Sequence, residues 1–189
     1  MKTISVNIYS FNELSKEAKQ KAISDYRDCK DTSYIYNDAH KTVKKFNDIF
    51  NTKEGGHSWL EINCYIDDNI LNLSGLRLRT YIINNYGDAL FKNKYIKRIK
   101  GKSVYSKIKK DNCCVLTGVC YDDDILSPIY KFLEQKSFDC TTFEDLLKKC
   151  FINLKCVLDD EEEYMRSDEY ITESILANEY EFYENGKLV

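Results

Sequence analysis

The residue types best suited to chemistry gather in one stretch, Asp111 to Pro128, which reads Asp-Asn-Cys-Cys-Val-Leu-Thr-Gly-Val-Cys-Tyr-Asp-Asp-Asp-Ile-Leu-Ser-Pro. It holds three of the eight cysteines, an acid triplet, a glycine and the only proline. Structural zinc is normally held by ligand pairs roughly two to four residues apart. Cys113, Cys114 and Cys120 show no such pairing, and His40 and His57 are the only imidazoles. A thiolate nucleophile needs a neighbouring base, usually histidine. His57 follows Gly55-Gly56, but no spacing sets it against Cys120, and a surface loop histidine is the simpler reading. Asp122, Asp123 and Asp124 offer the oxygen ligands that hard cations prefer. That keeps a metal-dependent hydrolase as a distant alternative, although the spaced acids and glycine of a calcium loop are missing. As acids at the start of a helix, they favour its positive end by about 0.3–1 kcal/mol each. The phosphate-binding, dinucleotide, nucleophile-elbow and paired-histidine motifs are all absent. The expectation is a non-enzymatic protein with no metal and no cofactor.

The strongest functional signal lies just upstream. Lys92, Lys94, Lys97, Arg98, Lys100, Lys102, Lys107, Lys109 and Lys110 form a run without a single acid, interleaved with Phe91, Tyr95 and Tyr105. Cations neutralise phosphates and aromatic rings stack bases, so Lys92 to Lys110, with Tyr95 and Tyr105, is the candidate binding segment. Lysine contacts phosphate as a point charge, which implies binding without base specificity. The competing reading is a solvated loop, or a strand pair facing the acidic end of the chain. From Asp159 to Glu184 there are eleven acids and one base, Arg166. The two segments either neutralise each other within the fold or present surfaces of opposite sign to different partners.

Elements that would position these residues follow from period and punctuation. Residues 2–9 alternate, with Ile4, Val6 and Ile8 on one face, and predict a half-buried strand. Ser15 is a good N-cap for a helix over Lys16–Cys29 whose stripe is Ala18, Ala22, Ile23 and Tyr26. A second helix over Ser33–Phe50 buries Ile35, Ala39, Val43, Phe46 and Phe50. Leu60, Ile62, Cys64 and Ile66 predict a strand, and Asp67-Asp68-Asn69 a turn into a returning strand at Ile70–Leu73. A helix from Leu76 to Asn85 stops at Gly87. Cys113–Cys120 fits either a buried strand or an irregular loop turning at Gly118. Helical character returns at Asp122, where Pro128 demands either a short first turn capped by Asp122 or a restart capped by Ser127. Thr141-Thr142-Phe143-Glu144 resembles a capping box opening a long helix to about Arg166, lined by Phe143, Leu147, Cys150, Leu154, Val157 and Tyr164. A helix over Asp168–Ala177, a closing strand over Glu179–Tyr183 and a turn at Asn185-Gly186 complete the chain.

This order predicts an α+β fold: a single compact domain with a small, mostly antiparallel sheet against several helices and a helix-rich C-terminal half. A subdivision into residues 1–91, the basic 92–110 segment and 111–189 is the alternative. The 189 residues suffice for one domain. Apolar content of 43% is modest, but fifteen tyrosines and nine phenylalanines supply core surface. No stretch has the roughly 20 apolar residues that span a bilayer, and residues 1–5 lack a signal-peptide apolar region. A cytoplasmic protein with reduced cysteines is expected, with Cys64, Cys150 and Cys156 as small hydrophobes on apolar faces.

Three stretches carry a resemblance. Phe11-Asn12-Glu13-Leu14-Ser15-Lys16-Glu17-Ala18-Lys19-Gln20-Lys21-Ala22-Ile23-Ser24-Asp25-Tyr26 is similar to the opening of a family of small bacteriophage and prophage proteins of unassigned function. Cys114-Val115-Leu116-Thr117-Gly118-Val119-Cys120-Tyr121-Asp122-Asp123-Asp124-Ile125-Leu126 resembles its second signature, and Ser167-Asp168-Glu169-Tyr170 through Ala177-Asn178-Glu179-Tyr180-Glu181-Phe182 its third. The resemblance implies a phage accessory protein acting in a bacterial host, with no catalytic residues to carry over. It points to binding and inhibition of a host protein or ribonucleoprotein, such as a CRISPR effector of host defence; a nucleic-acid-binding accessory protein is the alternative.

Overall fold

The computed structural model describes residues 6–54, 62–91, 94–99, 102–106, 115–118 and 121–189. In chain order its elements are β1 (Tyr9–Ser10), α1 (Lys16–Cys29), α2 (Ser33–Phe50), β2 (Thr52–Glu54), β3 (Ile62–Cys64), α3 (Asp68–Leu71) and α4 (Gly75–Leu90). Then come β4 (Lys94–Ile99), β5 (Lys102–Ser106), α5 (Tyr121–Glu134), α6 (Phe143–Met165), α7 (Asp168–Ala177) and β6 (Glu181–Phe182). The fold is α+β and helix-rich. Its strands, among the described residues, form three separate antiparallel pairs: β1 with β6, β2 with β3, and β4 with β5.

The chain forms two compact units: unit 1 is Met1–Tyr34 with Asp159–Val189, and unit 2 is Ile35–Leu158. Unit 1 is therefore built from both ends of the sequence. Its core joins Phe11, Leu14, Ala18 and Ala22 to Ile171, Ile175 and Phe182. Ser15 caps α1 by accepting a hydrogen bond from the Ala18 N–H (3.2 Å), and Ser167 caps α7 by accepting from the Tyr170 N–H (3.2 Å). Arg27, in the last turn of α1, ion-pairs with Asp168 in the first turn of α7. Its Nε donates to the Arg166 carbonyl (2.8 Å). The tight turn after β6 brings Gly186 against α1, with φ at +81°. A Cβ there would sit 2.1 Å from the Ala18 carbonyl oxygen. Only glycine meets both conditions.

Unit 2 is organised on aromatic rings. Phe46 and Phe50 of α2 stack with centroids 4.5 Å apart. Phe46 meets Phe151 of α6 edge-on at 5.4 Å, and Phe50 meets Tyr86 of α4 at 4.7 Å. Such tilted and edge-on pairs add about 0.5–1.5 kcal/mol each beyond area burial.

α1, α2 and α7 lie where their periodicity puts them, and Ile35, Ala39, Val43, Phe46 and Phe50 are all fully buried. Other expectations need correction. Among the described residues the first strand is Tyr9, paired with Phe182, and Ser10, paired with Glu181, while Val6 and Ile8 are exposed; residues 2–5 of the expected strand, Ile4 among them, lie outside the described residues. Alternation alone makes no strand when its partner is two residues long. β3 covers only Ile62–Cys64 of the predicted strand, and its partner is β2 directly after α2. Ile70 and Leu71 are helical, because Asp67 accepts from the Asn69 N–H (2.8 Å) and starts α3 where a hairpin turn was expected. Gly87 does not stop α4, which continues to Leu90. The capping box of α6 sits one residue later than expected: Thr142 and Asp145 exchange bonds, Asp145 N–H to Thr142 Oγ1 (3.1 Å) and Thr142 N–H to Asp145 Oδ2 (3.2 Å). Cys150 is buried and Cys64 half-buried, but Cys156 is exposed, as is Tyr164. No described helix is long and apolar enough to cross a membrane.

Candidate interaction hairpin

The described part of the basic segment is a β-hairpin. β4 carries Lys94, Tyr95, Lys97 and Arg98, and β5 carries Lys102 and Tyr105. Lys92, Lys100, Lys107, Lys109 and Lys110 lie outside the described residues, as do Cys113, Cys114, Cys120 and His57. The register pairs Lys94 with Ser106, Tyr95 with Tyr105, Lys97 with Val104, Arg98 with Ser103 and Ile99 with Lys102. Like charges directly opposite each other destabilise an antiparallel pair. Here every described cation is registered against a neutral residue, so the ladder tolerates four of them. A shift of register between Tyr95 and Lys97 breaks the regular pairing.

The chain entering the hairpin and the loop directly before α5 are both held by that helix. On the entry side, the Tyr130 hydroxyl donates to the Leu90 carbonyl (3.0 Å), and its ring packs on Phe91 at 5.9 Å. Burial pushes the Tyr130 phenol well above its ordinary range, with the Asp122 charge adding to the effect. In the loop before α5, the Asp122 carboxylate holds Leu116–Gly118. Its Oδ2 accepts from the N–H groups of Leu116 (2.9 Å), Thr117 (2.6 Å) and Gly118 (2.9 Å). Its Oδ1 accepts from Thr117 Oγ1 (2.6 Å) and Thr42 Oγ1 (3.0 Å). A carboxylate taken wholly out of water needs such a full set of donors, and Asp122 is completely buried. Tyr130 and Asp122 are eight residues apart on one helix, about 12 Å at 1.5 Å per residue.

Asp122 is thus neither a cap for α5 nor an open cation ligand. It lies inside the first turn, and its oxygens are committed to the preceding loop. Pro128 forces no restart either, because α5 runs unbroken from Tyr121 to Glu134. The missing proline N–H would leave the Asp124 carbonyl, four residues back, without its helical partner. The Asn153 amide of α6 donates to that carbonyl (2.7 Å). Two functional details were thus unrecognised in the sequence. Asn153 shows there only as a polar break in the run Cys150-Phe151-Ile152-Asn153-Leu154, and the Asp122 clamp only as an aspartate four residues after Gly118.

Among the described residues no group of three or more His, Cys, Asp or Glu side chains is placed to hold a metal ion. His40 is exposed on α2, and burial pushes the Cys150 thiol far up. The acids at the end of α6 divide by exposure. Asp159, Asp160 and Glu163 face solvent, while Glu162 accepts from Thr32 Oγ1 (3.2 Å) and Arg166 Nε (3.2 Å). Charge follows the units: unit 1 has sixteen acids and eight bases, unit 2 fifteen acids and twenty bases. Comparison with protein-family models, curated proteins and solved structures finds no match to this chain.

Proposed function

We propose that this chain is a non-enzymatic bacteriophage accessory protein that works in the host cytoplasm. It docks on a host protein or ribonucleoprotein through the basic hairpin and blocks it, in the manner of an inhibitor of a CRISPR effector or another defence complex. The observation that carries the reading is the hairpin: a cation-rich β-ribbon in a net-positive unit, entered from Leu90 and Phe91, which Tyr130 of α5 holds. A paired ribbon held at its entry loses less conformational entropy on docking than a free segment would. The three stretches similar to phage proteins supply the biological setting. Affinity purification of the tagged chain from bacterial cells tests it. A stoichiometric host protein or ribonucleoprotein should co-purify with the wild type and be lost when Lys97, Arg98 and Lys102 are changed to Glu. Recovery of no partner, or equal recovery by the charge-reversed variant, overturns it.

The register pair Tyr95–Tyr105 amid these cations favours a second reading, direct binding of single-stranded nucleic acid. On that reading affinity falls with salt, with a logarithmic slope of about −0.7 per phosphate contacted. Binding that ignores salt, or survives removal of the lysines, excludes it.

A further inference from the structure

A surface of opposite charge character to the basic hairpin lies in unit 1. A groove of about 520 Å³ runs between the β1 region and the end of α7. Ile8, Leu176 and Tyr180 line it as apolar surface, and Ile8 and Leu176 are 49% and 42% exposed. Glu13, Glu179 and Glu181 also line it, and among the described residues the one cation at its edge is Lys19, which donates to the Asn12 carbonyl (2.9 Å). Glu13 accepts from the Ser10 N–H (2.8 Å) and hydroxyl (2.7 Å), which fix its carboxylate at the rim. Large aliphatic side chains left in water beside a concave surface mark an interaction site more often than isolated exposure does. Apolar side chains beside three carboxylates in a mostly polar groove select an occupant by charge as well as by shape.

We propose that this groove docks a cationic, apolar-anchored protein segment: one leucine-like or aromatic side chain seated against Ile8, Leu176 and Tyr180, with flanking lysines or arginines against Glu13, Glu179 and Glu181. The argument rests on complementarity, and the excess of eight acids in unit 1 extends the same field beyond the groove. Basic segments of this kind are the ones that nucleic-acid-binding proteins present. The surface stands independently of the basic hairpin, which favours anionic partners.

The test uses the full chain and three labelled peptides: alternating Lys-Leu, alternating Glu-Leu and alternating Lys-Ser. The Lys-Leu peptide should bind, weakening as salt rises, and should shift amide resonances over Ile8–Glu13 and Ile175–Glu181. The other two should bind far less. Glu179→Gln with Glu181→Gln should weaken binding by about tenfold, within the range that two exposed ion pairs supply. Leu176→Ala should weaken it while leaving the thermal midpoint unchanged, since the side chain is exposed. Failure of the Lys-Leu peptide to bind at millimolar concentration overturns the proposal. So does affinity indifferent to these substitutions, tight binding of the Glu-Leu peptide, or resonance shifts elsewhere. A concentration-dependent dimer abolished by Leu176→Ala would give the groove to a second copy and also overturn it.

Discussion

At the scale of single residues, Asp122 shows how a sequence can display a functional group while hiding its role. An acid triplet before a helix suggests caps or cation ligands, yet the first of the three is drawn inside to collect five donors from Thr42 and Leu116–Gly118. Asp122→Asn keeps the shape but turns half of the acceptor into a donor facing N–H groups. Hydrogen bonds to a charged group are worth about 1.5–3 kcal/mol each, so the loss should be about 3 kcal/mol of stability. Denaturant unfolding checks the loss, and hydrogen exchange at amides 116–118 should quicken first. The cysteines separate by burial in the same way. Cys29, Cys140 and Cys156 are exposed and should react with a thiol reagent in the native protein, whereas Cys150 should react only on unfolding. Mass mapping after brief labelling distinguishes them.

At the scale of elements, Pro128 inside α5 is tolerated because Asn153 takes over the carbonyl that the proline strands. Asn153→Ala should cost about 1–2 kcal/mol while Pro128 is present, and clearly less in a Pro128→Ala background, where a backbone N–H is restored. A double-mutant cycle of unfolding free energies measures the coupling; additive costs would refute the compensation. The same contrast explains how far the elements were legible. α1, α2 and α7 could be read to the residue because each has an amphipathic stripe, two of them with serine caps. Short elements could not: β1 and β6 are two residues each, and their extent depends on a partner at the far end of the chain. Asp67 looks the same in a sequence whether it opens a hairpin turn or the single-turn helix α3. The basic segment was legible as a charge run. Its register against neutral residues and the hold of Tyr130 on its entry come from partners distant in the sequence.

At the scale of the molecule, two units of opposite net charge each have their own core, and stability should report on them separately. Gly186→Ala places a methyl group against the Ala18 carbonyl in a backbone conformation that alanine avoids. A loss of about 3 kcal/mol or more is expected. Hydrogen exchange should rise at amides of α1 and α7, and less in α4 and α5. The alkaline limit belongs to unit 2, where burial holds the Tyr86 and Tyr130 phenols and the Cys150 thiol protonated above their ordinary ranges. For acids whose native pKa is raised, stability is fully present below the unfolded values. It is lost as pH climbs past them, from about 8.5 for a thiol and about 10 for a phenol. Denaturation midpoints should therefore be level from neutrality to about pH 8 and fall steadily above it. A flat profile to pH 11 would contradict the assigned burial.

The split of unit 1 between the two ends of the chain has a consequence for synthesis. The ribosome makes α1 first and its packing partners α7 and β6 last, with Ile35–Leu158 in between. At roughly 5–20 residues per second, Phe11, Leu14, Ala18 and Ala22 wait on the order of ten seconds for the strand and helix that cover them. During that interval the nascent chain carries a short apolar stripe with nothing of its own to bury it. That is the kind of segment to which chaperones at the ribosomal exit bind, and unit 1 can close only once α7 and β6 have emerged.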